Sequence, residues 1–236
     1  MPERHGPVWD YLDLALFLGA VLPSLALAAL LSRASRLVAP RLFFSDAAQT
    51  LVFQSYWYVF LVGALYLVIV LRYHKPFWRS LGWTFPIPNA FLLLAAGPAL
   101  AISLSALGVI LRAPTDGSQI EILIKSRASL AAIILFGVVL APIFEEMLFR
   151  GFLLPLLVRS AGPWLGISLT AVPFGLLHGA QSHWAWQPVL LIGIAGIAFG
   201  YVRYKTGSTT AAFLMHSAYN ATMFLGYTLT HWETLN

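Results

Sequence analysis

The sequence predicts an all-α fold, a polytopic transmembrane helical bundle of about seven spans (six to eight), and three observations carry that prediction. Hydrophobic residues make up 59% of the 236 positions and charged residues only 10%, against about a quarter charged in a soluble globular chain. Mean hydropathy is +0.80, and the apolar residues gather in runs long enough to cross a ~30 Å hydrocarbon core as helices. The 14 Lys and Arg stand in ones to threes between those runs, as loop anchors and topology signals do. The formal net charge of +5 is therefore spread out rather than gathered into a phosphate-binding patch, and no nucleic-acid partner is expected. The absence of cysteine excludes disulfides, thiolate metal sites and a cysteine nucleophile.

The elements follow in chain order. Met1 to Asp13 is polar, with Glu3, Arg4, Asp10 and Asp13, and lacks the basic start, short apolar core and cleavage site of a signal peptide. Tyr11–Leu31 reads as a retained first span. After a loop with Arg33, Arg36, Arg41 and Pro40 comes a second span, Leu51–Leu71, with Tyr56, Trp57 and Tyr58 near one end, where aromatic belts form. The basic loop Arg72–Asn89, broken by Pro76, Pro86 and Pro88, suits a segment resting at the headgroups. Ala90–Leu111 is the third span, and the polar loop Arg112–Arg127, with Asp116 and Gly117, is too short to be a separate domain. The apolar run Ala128–Val158 exceeds the hydrocarbon core by about 15 Å if wholly helical, so it is tilted or is broken near Pro142 or Gly151–Pro155. Leu165–His178 is a short span with an interruption expected at Pro173. Pro188–Tyr201 follows, with Gly196 and Gly200 spaced for close helix approach, and Thr210–Thr228 is last. Residues 1–236 are expected to form a single membrane domain. The second half puts Arg159, Arg203 and Lys205 on one side, as cytoplasmic turns would be. The Lys and Arg of the first half divide almost evenly between the two sides, so charge decides orientation only by half.

Within the long run, Glu145, Glu146 and Arg150 stand among apolar residues. Ionisable groups at membrane depth are costly, and function is their default reading. On a helix Glu146 and Arg150 are i and i+4 and can neutralise each other, which by itself can serve helix packing alone. Glu145 is rotated by roughly 100° and needs another partner. Two further polar sets lie in apolar runs, Phe174-Gly-Leu-Leu-His178 and His216-Ser-Ala-Tyr-Asn220, the second with His216 and Asn220 on one helix face. Buried polar groups seek partners, and Glu145 is the natural one for a histidine from another helix. A desolvated carboxylate beside an imidazole suits general-base chemistry near neutral pH.

These three motifs, in this order on successive apolar helices, resemble the CAAX prenyl protease and bacteriocin-processing family of intramembrane endopeptidases, also called the Abi family. The flanking Glu-Glu-Met-Leu-Phe-Arg-Gly-Phe-Leu and Gly-Leu-Leu-His-Gly words fit as well, and the likeness covers roughly Leu130 to Leu225, within a catalytic core at 128–229. The resemblance implies hydrolysis of a peptide bond in a membrane-associated protein or peptide. In it Glu145 and His178 activate a water, His216 and Asn220 stabilise the oxyanion, and Glu146 and Arg150 support the site. The family has also been labelled metalloprotease. Glu145, His178 and His216 would then hold zinc, although the H-E-x-x-H signature is absent, and a metal-free glutamic mechanism is the favoured expectation.

Two other classes bear on these residues. A proton-coupled transporter would bury carboxylates and histidines too, but residues 1–127 hold no counterpart of the polar motifs, as an internal repeat would require. A non-catalytic membrane immunity or scaffold protein would share the family's fold; here all three motifs are intact. The expected location is a prokaryotic plasma membrane.

Overall fold

The computed structural model describes residues 6–43, 45–87, 89–114 and 118–235. Glu3, Arg4, Pro88, Asp116 and Gly117 lie outside the described residues. Among those described there are nine helices and short 3₁₀ turns, and no strand. They are α1 (Tyr11–Val38), α2 (Asp46–Arg72), α3 (Phe77–Ser80), α4 (Ala90–Ile110), α5 (Gln119–Leu123), α6 (Arg127–Ala161), α7 (Pro163–Leu177), α8 (Trp186–Thr206) and α9 (Thr209–His231).

Local chemistry sets the helix ends. Asp10 accepts from the backbone N–H groups of Leu12 and Asp13 while the Asp13 carboxylate accepts from that of Asp10, a capping box that starts α1. Ser45, Ser126 and Ser208 cap α2, α6 and α9 in the same way, each accepting a backbone N–H from the first turn. Gly162, at φ +79, turns the chain between α6 and α7.

Five helices, α1, α2, α4, α6 and α8, are long and apolar enough to cross a membrane. With the 15-residue α7 and the more polar 23-residue α9 there are about seven spans, and the protein is an integral membrane protein. Hydrogen bonds between helix ends give their order. Arg159 donates to the carbonyls of Pro7 and Trp9, so α1 starts where α6 ends. Lys125 meets Asp46 at 2.6 Å, so α2 and α6 start together. The N–H of Thr84 donates to the Thr210 hydroxyl at 3.0 Å, which sets the start of α9 beside the loop before α4. The crossing helices thus alternate, and the start of α1 and the end of α9 lie at opposite ends of the bundle.

One apolar core joins α1, α2 and α6 through Trp9, Phe17, Leu65, Ile69, Met147 and Phe152; another joins α4, α8 and α9 through Leu104, Phe199, Ala212 and Met215. The outer faces expose large side chains, such as Leu22 at 73% and Phe91 at 80%, as a lipid-facing surface does. As the small-residue spacing predicts, α8 lies close to α7: a Cβ on Gly196 would stand 3.1 Å from the Phe174 ring, and one on Gly200 3.2 Å from Ile167.

The long apolar run is one helix of 35 residues, about 52 Å at 1.5 Å per residue, and it is not broken at its prolines. It widens instead into two π-helical segments, Phe136–Leu140 and Met147–Leu153, one just before Pro142 and the other just before Pro155. A proline lacks an N–H and its ring crowds the carbonyl one turn back; a wider turn accommodates both. Nor does Pro173 interrupt α7, which runs through it to Leu177. Neighbouring helices sustain prolines within membrane helices.

Candidate active site

The site is built outward from Pro142. The Ala141 N–H turns to the carbonyl of Phe136, and Pro142 has none to give, so the Gly137 carbonyl loses its partners within the helix. Asn220, arriving on α9, donates its side-chain amide to that carbonyl at 2.7 Å. This bond uses one of the two amide N–H groups and leaves the other for the cavity.

Glu146 and Arg150 are fully buried and paired at 2.9 Å, i to i+4. Arg150 also donates to the Gly196 carbonyl at 2.9 Å, and its guanidinium lies over the rings of Phe174 and Phe199, 4.4 and 5.4 Å from their centroids. Sequence reasoning pairs Glu146 with Arg150 alone, but the carboxylate is shared: the same oxygen accepts from His216 Nδ1 at 2.8 Å. Phe199 stacks on the His216 ring at 4.5 Å between centroids. The imidazole is therefore locked, with Nε2 turned toward Glu145.

Glu145 faces the other way. Its side chain and that of His178 retain 14% and 19% exposure, whereas Glu146 and Arg150 retain none. His178 Nδ1 donates to the Phe174 carbonyl at 2.7 Å; because a carbonyl only accepts, the N–H sits on Nδ1, and in the neutral ring Nε2 carries a lone pair. Nε2 of His178 lies 3.9 Å from one Glu145 oxygen, and Nε2 of His216 lies 3.8 Å from the other. The structure thus brings Glu145, His178, His216 and Asn220 together on one cavity of ≈ 570 Å³. Neither histidine is within direct hydrogen-bond distance of Glu145.

The direct bond to Glu145 comes from a residue that sequence reasoning missed. Tyr58 on α2 donates its hydroxyl to Glu145 at 3.2 Å and accepts from the Gln54 amide at 2.9 Å. Read from sequence as part of an interfacial aromatic belt, Tyr58 is buried, its ring stacked against Phe136 and Phe144. The available signal is its i, i+4 spacing from Gln54 within an apolar run, the same spacing that singles out His216 and Asn220.

Glu145, His178 and His216 form a donor set that zinc accepts. Their N–O separations of 3.8 and 3.9 Å exceed the roughly 3.4 Å between ligand atoms in a tetrahedral site with ~2.0–2.1 Å bonds. Among the described residues no group of three His, Asp or Glu is placed to hold a metal ion, and Glu146 is engaged by Arg150 and His216. As placed, these side chains do not fit the ion.

Fold and site first define a class: a polytopic helical membrane protein with a carboxylate, two imidazoles and an amide on one internal cavity. Comparison adds a likeness: residues 127–222 match the family model of Rce1-like proteins, type II CAAX prenyl endopeptidases, and over that stretch the chain is similar to them. The matched stretch begins with α6 and ends just past Asn220, so it holds all three motifs, and it is the stretch over which the motifs resemble the CAAX protease family. No curated protein and no solved structure matches the chain significantly.

Proposed function

We propose that the protein is an intramembrane endopeptidase that hydrolyses a peptide bond of a membrane-associated protein or peptide without a metal. The observation that carries this reading is the pair formed by Glu145 and the lone-pair-bearing Nε2 of His178, 3.9 Å apart on the cavity wall. One water hydrogen-bonded to both at ~2.8 Å fits that separation. Glu145 takes a proton as the water oxygen bonds to the scissile carbonyl carbon. The proton then passes to the amide nitrogen, the C–N bond breaks, and the amine departs.

His216 and Asn220 are the proposed oxyanion donors. Because His216 gives its Nδ1–H to Glu146, it donates from Nε2 only as an imidazolium, and Glu146 is placed to support that charge. Asn220 offers its second amide N–H. Glu146 and Arg150 hold this arrangement rather than react. We assign the catalytic core to 128–229 within one membrane domain, with α2 contributing Gln54 to the cavity wall and the Tyr58 hydroxyl to Glu145.

The test is incubation of the purified, detergent-solubilised protein with a panel of membrane-anchored reporter peptides and mass analysis of the products. The expected result is two fragments whose masses sum to that of the substrate plus one water, absent with Glu145→Ala. Folded wild-type protein that leaves every reporter intact would instead support a non-catalytic immunity or scaffold role.

A further inference from the structure

A second large cavity, of ≈ 700 Å³, lies at the bundle end where α1 starts and α6 and α8 finish, and shares no lining residue with the site above. Four basic side chains line it, Lys75, Arg79, Arg159 and Arg203, and no Asp or Glu does among the described residues. They come from separate segments, the loop around α3 and the ends of α6 and α8, so chain folding, not local sequence, gathers them.

Two of the four are held in place. Arg159 donates to the carbonyls of Pro7 and Trp9 at 2.8 and 3.1 Å, both neutral acceptors. Arg203 Nε–H donates to the Thr209 hydroxyl at 3.0 Å, and the N–H of Thr209 donates to the Gly82 carbonyl at 2.8 Å. The guanidinium lies so close to Gly82, at φ +73, that a Cβ there would stand 2.6 Å from its nearest nitrogen. Lys75 and Arg79 are exposed at the rim. Below the cations the wall is apolar, formed by Leu154, Pro155 and Val158. A charged mouth over an apolar wall, at the end of membrane-crossing helices, has the polarity order of a phospholipid.

We propose that this cavity binds a phosphate group, and that in the membrane the phosphate is the headgroup of an anionic phospholipid. The full-length protein in a neutral detergent is titrated with phosphatidylglycerol, with phosphatidylcholine, and with inorganic phosphate at matched ionic strength, while thermal stability and lipid adducts in native mass spectrometry are followed. Phosphatidylglycerol is expected to stabilise saturably and phosphatidylcholine not at all. Lys75→Gln/Arg79→Gln, confined to exposed rim positions, should raise the half-maximal phosphatidylglycerol concentration on the order of tenfold or more, since each basic group near an anionic surface contributes roughly fivefold. Phosphate that reproduces the saturable shift and competes with the lipid would support the site and assign the free anion as its occupant. Phosphate without effect beside an active phosphatidylglycerol assigns the lipid. Equal responses to the two lipids, no response to any of the three, or equal phosphatidylglycerol affinity in variant and wild type would overturn the proposal.

Discussion

Glu145 and Glu146 are neighbours in the chain and differ in almost every contact. One helical step turns Glu146 into a closed polar cluster with Arg150 and His216, and Glu145 onto a cavity wall where Tyr58 is its direct donor. The split is legible in sequence, because Arg150 at i+4 can serve only one of two adjacent carboxylates. What sequence does not carry is the third party to each pair: His216 on Glu146 and Tyr58 on Glu145 come from helices 70 and 87 residues away. The cluster also predicts a stability effect. Arg150→Met leaves the Glu146 carboxylate buried beside His216 without its guanidinium, and removing one partner of a buried pair costs about 3–5 kcal/mol. A thermal melt in matched detergent should show that loss, whereas Glu145→Gln, facing the cavity, should melt close to wild type.

At the scale of elements, hydropathy locates the spans well because each must offer lipid a long apolar surface, and the observed helices overlap every predicted run. The interior of α6 is another matter. A proline in an apolar run reads as a break, yet the wide turn before Pro142 keeps the helix continuous and frees one carbonyl, and only the approach of α9 shows that Asn220 meets it. Pro142→Ala restores a backbone N–H able to compete for Gly137. The helix should then be no less stable, as a mid-helix proline is the least favourable residue there. Cleavage should nevertheless fall by at least about tenfold, part of the 10²–10³ that a lost oxyanion donor costs. Paired melting and kcat measurements separate this from a folding defect, in which both would drop.

At the scale of the whole molecule, the motifs of α6, α7 and α9 meet because the crossing helices alternate and pack through small residues on α8. That convergence was readable as a hypothesis from three polar sets needing partners. The cavity's remaining wall was not, because α2 carries no motif beyond Gln54 and Tyr58. Nor could charge counting orient the bundle. Arg72, Lys75, Arg79, Arg159, Arg203 and Lys205 lie at one end, and Arg33, Arg36, Arg41, Arg112, Lys125 and Arg127 at the other, so neither end dominates by the excess of basic residues that sets topology.

The most direct measurement is the single-turnover rate on the best reporter peptide for wild type and Glu145→Gln, each with and without a strong chelator. The account predicts that wild type keeps its rate under chelation and that Glu145→Gln loses about 10²–10⁴ of it, the contribution of a positioned general base. A Glu145→Gln protein as fast as wild type, or a wild-type rate abolished by chelation and restored by zinc, would contradict it.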